Sequence, residues 1–258
     1  STAHIIFNVV NTIVLFPFAN WIIKMACILV PDKEPEDSKL EFKFYDEHLL
    51  TTPPVAVEQI GKEVVRMAKL ARDNFDRAAT ALINNDTSKG EKIESVEEVI
   101  NFLNHGITRH LVKINALDLD YTDAKYIGRL FHVINDIERI GDHGETLAKK
   151  ARKMFEDNVH FSPEAQQELA QLSEMVLRAS GRALEALEKN DKAIAEDAVR
   201  LCREVKQYQK LIRKNHIVRL NEHVCEPVAG FVMLELLINM KRVSDHSKNI
   251  AQLVQGTF

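Results

Sequence analysis

After Pro54, apolar positions recur every three or four residues almost to the C-terminus, which is the period of an amphipathic helix. The pattern is interrupted five times, and each interruption contains Asn, Asp, Gly or Pro: residues 84–90, 117–122, 157–163, 189–191 and 226–227. Ser162 and Pro163 form a helix start signal, because the hydroxyl can cap free amides and proline fits the first turn. The pattern predicts six long helices and an all-α fold.

The first 54 residues follow a different pattern. A mostly apolar run over residues 5–30 is long enough to span a bilayer, although Pro17 interrupts it. We therefore expect residues 1–31 to form one apolar membrane-type helix that precedes the six. The alternative is an apolar helix of a soluble protein, covered by a partner. Residues 32–54 are rich in charge and proline, which predicts a linker.

Composition supports long helices and excludes several classes of function. Among 258 residues there are only 9 Gly and 7 Pro, while 45% are hydrophobic and 28% charged. A formal net charge of -4 argues against nucleic acid as a partner. The 3 cysteines are scattered, and no nucleophile elbow, glycine-rich phosphate loop or zinc motif occurs. We predict that the chain is not an enzyme.

Two segments recur in the same order along the chain. Residues 81–86 match residues 186–191, and residues 135–143 match residues 238–246, at offsets of 105 and 103. Two matches at nearly one spacing indicate a duplicated three-helix unit, since one such unit buries its apolar stripe poorly alone. The predicted domain covers residues 55–258, with repeat one at 55–157 and repeat two at 162–258.

Three carboxylates share one stripe of the third predicted helix. Glu138 and Asp142 are separated by four residues, and Glu145 continues the same face. Like charges at this spacing repel, so a cation should compensate them, either Arg139 or a bound metal ion. Paired carboxylates suit hard divalent ions or iron. The alternative is a solvated acidic face. Gly141, in the middle of the helix, predicts a close approach by another helix.

The segment Asn-Asp-Ile-Glu-Arg-Ile-Gly-Asp-His at 135–143 resembles the signature of the PhoU family. The resemblance implies a pair of three-helix bundles, each with an acidic metal motif. Lys241 departs from the pattern, because it stands where the second motif has an acidic residue and places a fixed positive charge there. Divalent or iron ions are thus expected at the first repeat. The metal ligands that the resemblance implies are Glu138, Asp142, Asp245, Glu98 and Glu204.

Residues 3–8, which run into the apolar segment, are similar to the end of the second membrane repeat of the sodium/phosphate cotransporter family. The resemblance implies a regulatory PhoU-like domain of a sodium-dependent phosphate transporter, in the inner membrane with residues 32–258 cytoplasmic. Asn8 and Asn11 would then face the transport path, and the alternative is that they pack between helices.

The partners implied are the membrane and the rest of the transporter core, with phosphate and sodium reached only through the intact transporter. A homodimer is a further expectation. The alternative function is a soluble metal-binding PhoU-like adaptor in phosphate signalling, whose N-terminal helix is an anchor or a partner-binding segment.

Overall fold

The computed structural model describes residues 39–223 and 225–256. Within these ranges a short 3-10 helix, Glu47–Thr51, precedes six long helices and there is no strand. The predicted all-α fold with six helices is confirmed. The helices are α1 (Pro53–Ile83), α2 (Gly90–Asn115), α3 (Tyr121–Glu156), α4 (Pro163–Lys189), α5 (Lys192–Asn221) and α6 (Pro227–Gln255).

Local signals in the sequence fix the helix ends. Ser162 caps α4 as expected, and its hydroxyl accepts a hydrogen bond from the Ala165 amide at 3.3 Å. The Asp120 side chain caps α3 in the same way. At the other end, Asn190 closes α4 in the left-handed conformation with φ 50°, which asparagine tolerates better than most residues. The polar interruptions of the apolar pattern are therefore caps and turns.

The six helices form two three-helix bundles. Helices α1, α2 and α3 pack together as the first, and α4, α5 and α6 pack together as the second. The bundles are joined where α3 packs on α6 and α1 packs on α4. Fully buried apolar side chains occur throughout both bundles, for example Phe75, Leu103, Ile137, Leu172, Val205 and Met240.

The same polar contact occurs twice where α3 crosses α6. His143 Nδ1 lies 2.8 Å from Asn239 Oδ1, and His246 Nδ1 lies 2.8 Å from Asp136 Oδ1. Both residues of the first pair have their counterparts 103 positions away in the second pair. Asn249 adds a hydrogen bond from its side-chain amide to Asp136 at 3.0 Å. The two repeats are therefore related by an approximate two-fold axis between the histidines.

The predicted membrane-type helix at residues 1–31 lies outside the described residues. In the ranges that are described, none of the helices is both long enough and apolar enough to cross a bilayer. The predicted inner-membrane localisation is therefore wrong for the described part of the chain. The physical reason is that each described helix mixes one apolar face with many charged residues, which a bilayer interior does not accommodate.

Candidate metal centre

Glu97 of α2 is a charged residue that is buried in the first bundle. It is only 5% exposed and lies against Gly141 of α3. A Cβ atom at Gly141 would stand 3.1 Å from Glu97 Oε2 and 3.2 Å from Oε1, so glycine leaves the space that this carboxyl group occupies. Neither carboxyl oxygen of Glu97 makes a hydrogen bond of good geometry, and its polar neighbour from α1 is the Asn74 side chain, which acts to lower its pKa. The predicted close approach at Gly141 is thus made by a buried carboxylate.

The surroundings of Glu97 make its negative charge unfavourable. Burial raises the pKa of Glu97 to about 7, and the charges of Asp142, Glu145 and Glu138 act in the same direction. Burial also raises the pKa of Glu138, with a further contribution from Asp142. Four carboxyl groups therefore converge where α2 meets α3. We call this set, Glu97, Glu138, Asp142 and Glu145, the acidic face.

Basic residues compensate only the outer part of the acidic face. Arg139 Nη1 lies 3.2 Å from Asp142 Oδ2, and Arg139 Nε lies 3.6 Å from Glu138 Oε2. Lys149 Nζ lies 2.8 Å from Glu145 Oε1. The Arg139 and Lys149 side chains are 61% and 67% exposed, so these pairs are largely screened by water. None of these ion pairs includes the buried carboxyl group of Glu97.

The structure brings some of the predicted ligands together and not others. Glu138 and Asp142 lie on the acidic face as expected. Glu98 is exposed on α2, and its neighbour Glu97 occupies the position on the face. A signal for Glu97 was present in the sequence, because it lies four residues after Ile93 and three before Ile100. That spacing places Glu97 at the edge of the apolar stripe of α2.

The acidic face fits a hard cation by its chemistry. Two buried oxygens of Glu97 make no hydrogen bond of good geometry, and carboxylate oxygens are the ligands that such ions prefer. The side chains do not converge into a finished cage, because no three His, Cys, Asp or Glu side chains within residues 39–223 and 225–256 are grouped closely enough to hold a metal ion. The fit is therefore one of donor chemistry and not of geometry, with Glu97, Glu138 and Asp142 as the candidate ligands.

The equivalent face of the second repeat has different chemistry. At the repeat offsets, its residues are Cys202, Lys241, Ser244, Asp245 and Lys248, in place of Glu97, Glu138, Gly141, Asp142 and Glu145. Cys202 is buried, its pKa is raised mainly by that burial, and it interacts with Ser244. Lys241 forms an ion pair with Asp245. A cation would meet two lysines there, so these residues do not fit a metal site.

Two groups of predicted residues have other surroundings. Glu204, predicted as a ligand from α5, accepts from Arg200 Nη1 at 2.5 Å along the same helix. The predicted transport-path residues Asn8 and Asn11 lie outside the described part of the chain.

Fold and site together define a class: all-helical proteins of two repeated three-helix bundles, here with an acidic face on the first repeat. Residues 64–151 and 169–254 match the model of the PhoU domain, which accounts for well over half of the chain. The chain belongs to the PhoU family.

Sequence matches to described proteins are consistent with membership of this family. A phosphate-specific transport system accessory protein PhoU homolog of Pseudomonas putida is 27% identical over 206 residues, 77% of each chain. YjbB of Salmonella typhimurium, for which inorganic phosphate export is a proposed role, is 22% identical over 256 residues. That match covers 97% of this chain and 46% of YjbB, so the chain spans about half the length of that relative.

A solved structure supports the fold. The crystal structure of PhoU from Pseudomonas aeruginosa has a TM-score of 0.72 and 23% sequence identity, and the match covers 76% of this chain and 94% of that one. At this level of identity the similarity establishes the arrangement of helices and nothing about ligands.

Proposed function

We propose that the two repeats form a regulatory module of phosphate transport, and that the first repeat binds a hard divalent cation or iron. The module has no catalytic role. The proposal is supported by membership of the PhoU family and by relatives described as transport accessory proteins. The single observation that supports the cation is Glu97, whose buried carboxyl group lies near three other acidic residues and has no basic partner.

The three candidate ligands come from two helices, and they would have to move closer together to hold the cation. Glu97 extends from α2, while Glu138 and Asp142 extend from α3. The ion supplies the positive charge that the buried carboxyl group lacks. Because Glu97 bridges the two helices, its ionisation and its pairing affect how closely α2 packs on α3. The first repeat thereby responds to the cation, and the second repeat, with Lys241 paired to Asp245, does not.

The match to YjbB supports a connection to a phosphate-moving protein, since it extends beyond the residues that match the PhoU domain. We propose that the module regulates that protein within one chain. We further propose that the phosphate movement is coupled to sodium. This step is supported only by the resemblance of residues 3–8 to the sodium/phosphate cotransporter family. The second candidate is a separate adaptor, favoured by the match that covers 77% of the Pseudomonas putida accessory protein.

Phosphate flux tests the regulatory role. Cells that lack other phosphate carriers would express the intact protein, a version without residues 53–256, and a version with Glu97→Gln. We expect deletion to change the phosphate flux or its response to external phosphate. Identical flux and identical regulation in the deleted version would overturn the proposal. If the deleted version is restored by residues 39–258 supplied as a separate chain, the adaptor is the better description.

A further inference from the structure

Residues 41–51, which we call the strap, pack on the first repeat, although their composition predicted a linker. The ring of Phe42 lies 5.5 Å from that of Phe102 and 5.3 Å from that of His110, measured between centroids. Both partners belong to α2. A Cβ atom at Gly106 would stand 2.5 Å from Phe42 Cζ, so glycine provides the notch that receives the ring.

Hydrogen bonds to α1 hold the main chain of the strap. The Phe44 amide donates to Glu63 Oε1 at 2.6 Å, and Glu63 is fully buried. The second oxygen of Glu63 accepts from Arg66 Nε at 2.9 Å, and Arg66 also donates to the carbonyl oxygen of Glu41. A buried carboxylate that accepts from a main-chain amide forms a charge-assisted hydrogen bond, which is stronger than a neutral one. The strap is therefore anchored by aromatic packing and by a buried acceptor.

The notch is a feature of the first repeat alone. At the repeat offset of 105, α5 has Gln207, Leu211 and Asn215 in place of Phe102, Gly106 and His110. Leu211 fills the position of the glycine and is 52% exposed. The strap also precedes residue 64, where the match to the PhoU domain begins, whereas the match to YjbB covers 97% of the chain. The strap is thus an addition to the duplicated fold, and its notch lies within the first repeat.

We infer that the strap is coupled to the acidic face, and that α2 is the connecting element. Gly106 and Glu97 are nine residues apart, so at 3.6 residues per turn they lie on opposite sides of α2. Phe42 presses on one side, and the Glu97 carboxyl group meets Gly141 on the other. Release of the strap lets α2 shift, which changes the distance between Glu97 and α3. The inference rests on the proposed function only in treating this face as the cation site.

Hydrogen exchange in the whole chain, measured by mass spectrometry with a chelator present, tests the coupling. Phe42→Ala removes the ring from the notch. We expect exchange to rise at least about tenfold in residues 41–47, and severalfold in residues 93–101 of α2, where local opening limits exchange. Phe44→Ala is the matched control, because this ring is 46% exposed while its amide makes the bond to Glu63. We expect the control to exchange like the parent in both segments.

A second variant displaces the Phe42 ring without a substitution in the strap itself. Gly106→Leu places the residue of the second repeat in the notch, so Phe42 is displaced, and we expect the same two segments to exchange faster. Unchanged exchange in residues 41–47 of both variants would show that Phe42 does not anchor the strap. Faster exchange in residues 41–47 without any change in α2 would show that the strap and the acidic face are not coupled. Neither measurement involves a metal ion. Titration with Mn²⁺ afterwards shows separately whether the acidic face binds a cation.

Discussion

At the scale of single residues, the chemistry of this chain is concentrated at Glu97. Removing an ionised carboxylate from water is costly unless a partner compensates it, and Glu97 makes no hydrogen bond of good geometry at 5% exposure. Without a cation, the compensation available is a proton, because burial and the neighbouring acids raise the pKa of Glu97 to about 7. Protonation and cation binding are therefore competing ways to neutralise one side chain.

Glu97→Gln should stabilise the protein at high pH when no cation is present. The folded-state pKa of about 7 exceeds the ordinary value of 4.5, so the stability contributed by the protonated group is complete below pH 4.5 and is lost as pH rises through 7. One pKa unit corresponds to about 1.36 kcal/mol, and we expect the variant to be more stable by about 2 kcal/mol at pH 8. Urea unfolding in the presence of a chelator from pH 4 to pH 8 measures this.

Glu98→Gln is the matched control, because it changes the adjacent carboxyl group, which is exposed. We expect the free energy of unfolding of this variant to equal that of the parent at every pH. Added Mn²⁺ should make the parent more stable than Glu97→Gln, because it stabilises the parent and leaves the variant unchanged. If Glu97→Gln and the parent lose stability in parallel as pH rises, then the buried carboxyl group is compensated in some other way.

At the scale of elements, two of the three glycines of α3 have opposite surroundings. Space for a Cβ is open at Gly128, while a Cβ at Gly144 would stand 3.3 Å from the Cα and the N of Phe75 in α1. Backbone atoms of a helix cannot move away from a new Cβ atom without a shift of the whole helix, whereas a flexible side chain can change its rotamer. Gly144 therefore sets how closely α3 packs on α1, and Gly128 does not.

Alanine at these two positions should have different effects on stability. Gly128→Ala should increase the free energy of unfolding by about 0.5–1 kcal/mol, since alanine is the better helix former. Gly144→Ala gains the same propensity but forces α1 and α3 apart, and we expect it to be at least about 1 kcal/mol less stable than Gly128→Ala. Urea denaturation of both variants measures the difference. Equal stabilisation by both would mean that the α1–α3 contact adjusts freely.

The two repeats should differ in cation binding, because their equivalent faces differ in charge. We expect about one Mn²⁺ per chain, and the double variant Glu138→Ala, Asp142→Ala should bind it at least about tenfold more weakly. The matched double variant Lys241→Ala, Asp245→Ala should bind like the parent. Equilibrium dialysis with elemental analysis decides between these results. Binding lost equally in both double variants would place a shared site between the repeats.

At the scale of the whole molecule, the crossing of α3 and α6 holds the repeats together through polar contacts. Asp136 accepts hydrogen bonds from His246 at 2.8 Å and from Asn249 at 3.0 Å. The related contact on the other side of the axis has Asn239 in place of Asp136. The interface therefore has one charged acceptor and one neutral acceptor at equivalent positions.

Asp136→Ala should weaken the contact between the repeats. The substitution leaves two part-buried donors without an acceptor, which costs about 1–3 kcal/mol of unfolding free energy. Asp136→Asn retains one acceptor oxygen and copies the residue found at Asn239, so it should lose less. Guanidinium unfolding followed by circular dichroism compares the variants. An alanine variant as stable as the parent would show that the apolar contacts of α3 and α6 suffice alone.

The sequence by itself determined the helices and the duplication. Both follow from local information: apolar residues at a fixed period, caps such as Ser162, and two short segments repeated at offsets of 105 and 103. Such signals act within a few turns of one helix and need no knowledge of its neighbours. Glu138 and Asp142 were found for the same reason, since they lie on one stripe of one helix.

Only the tertiary structure decided which residues of other helices meet that stripe. Glu97 and Glu98 are adjacent, and about 100° of rotation around α2 separates a buried carboxylate facing Gly141 from an exposed one. The strap is a second example, because its charge and proline content predicted a linker while Phe42 is held by Phe102 and His110. Contacts between helices depend on rotation and crossing, which the packing of the whole core sets.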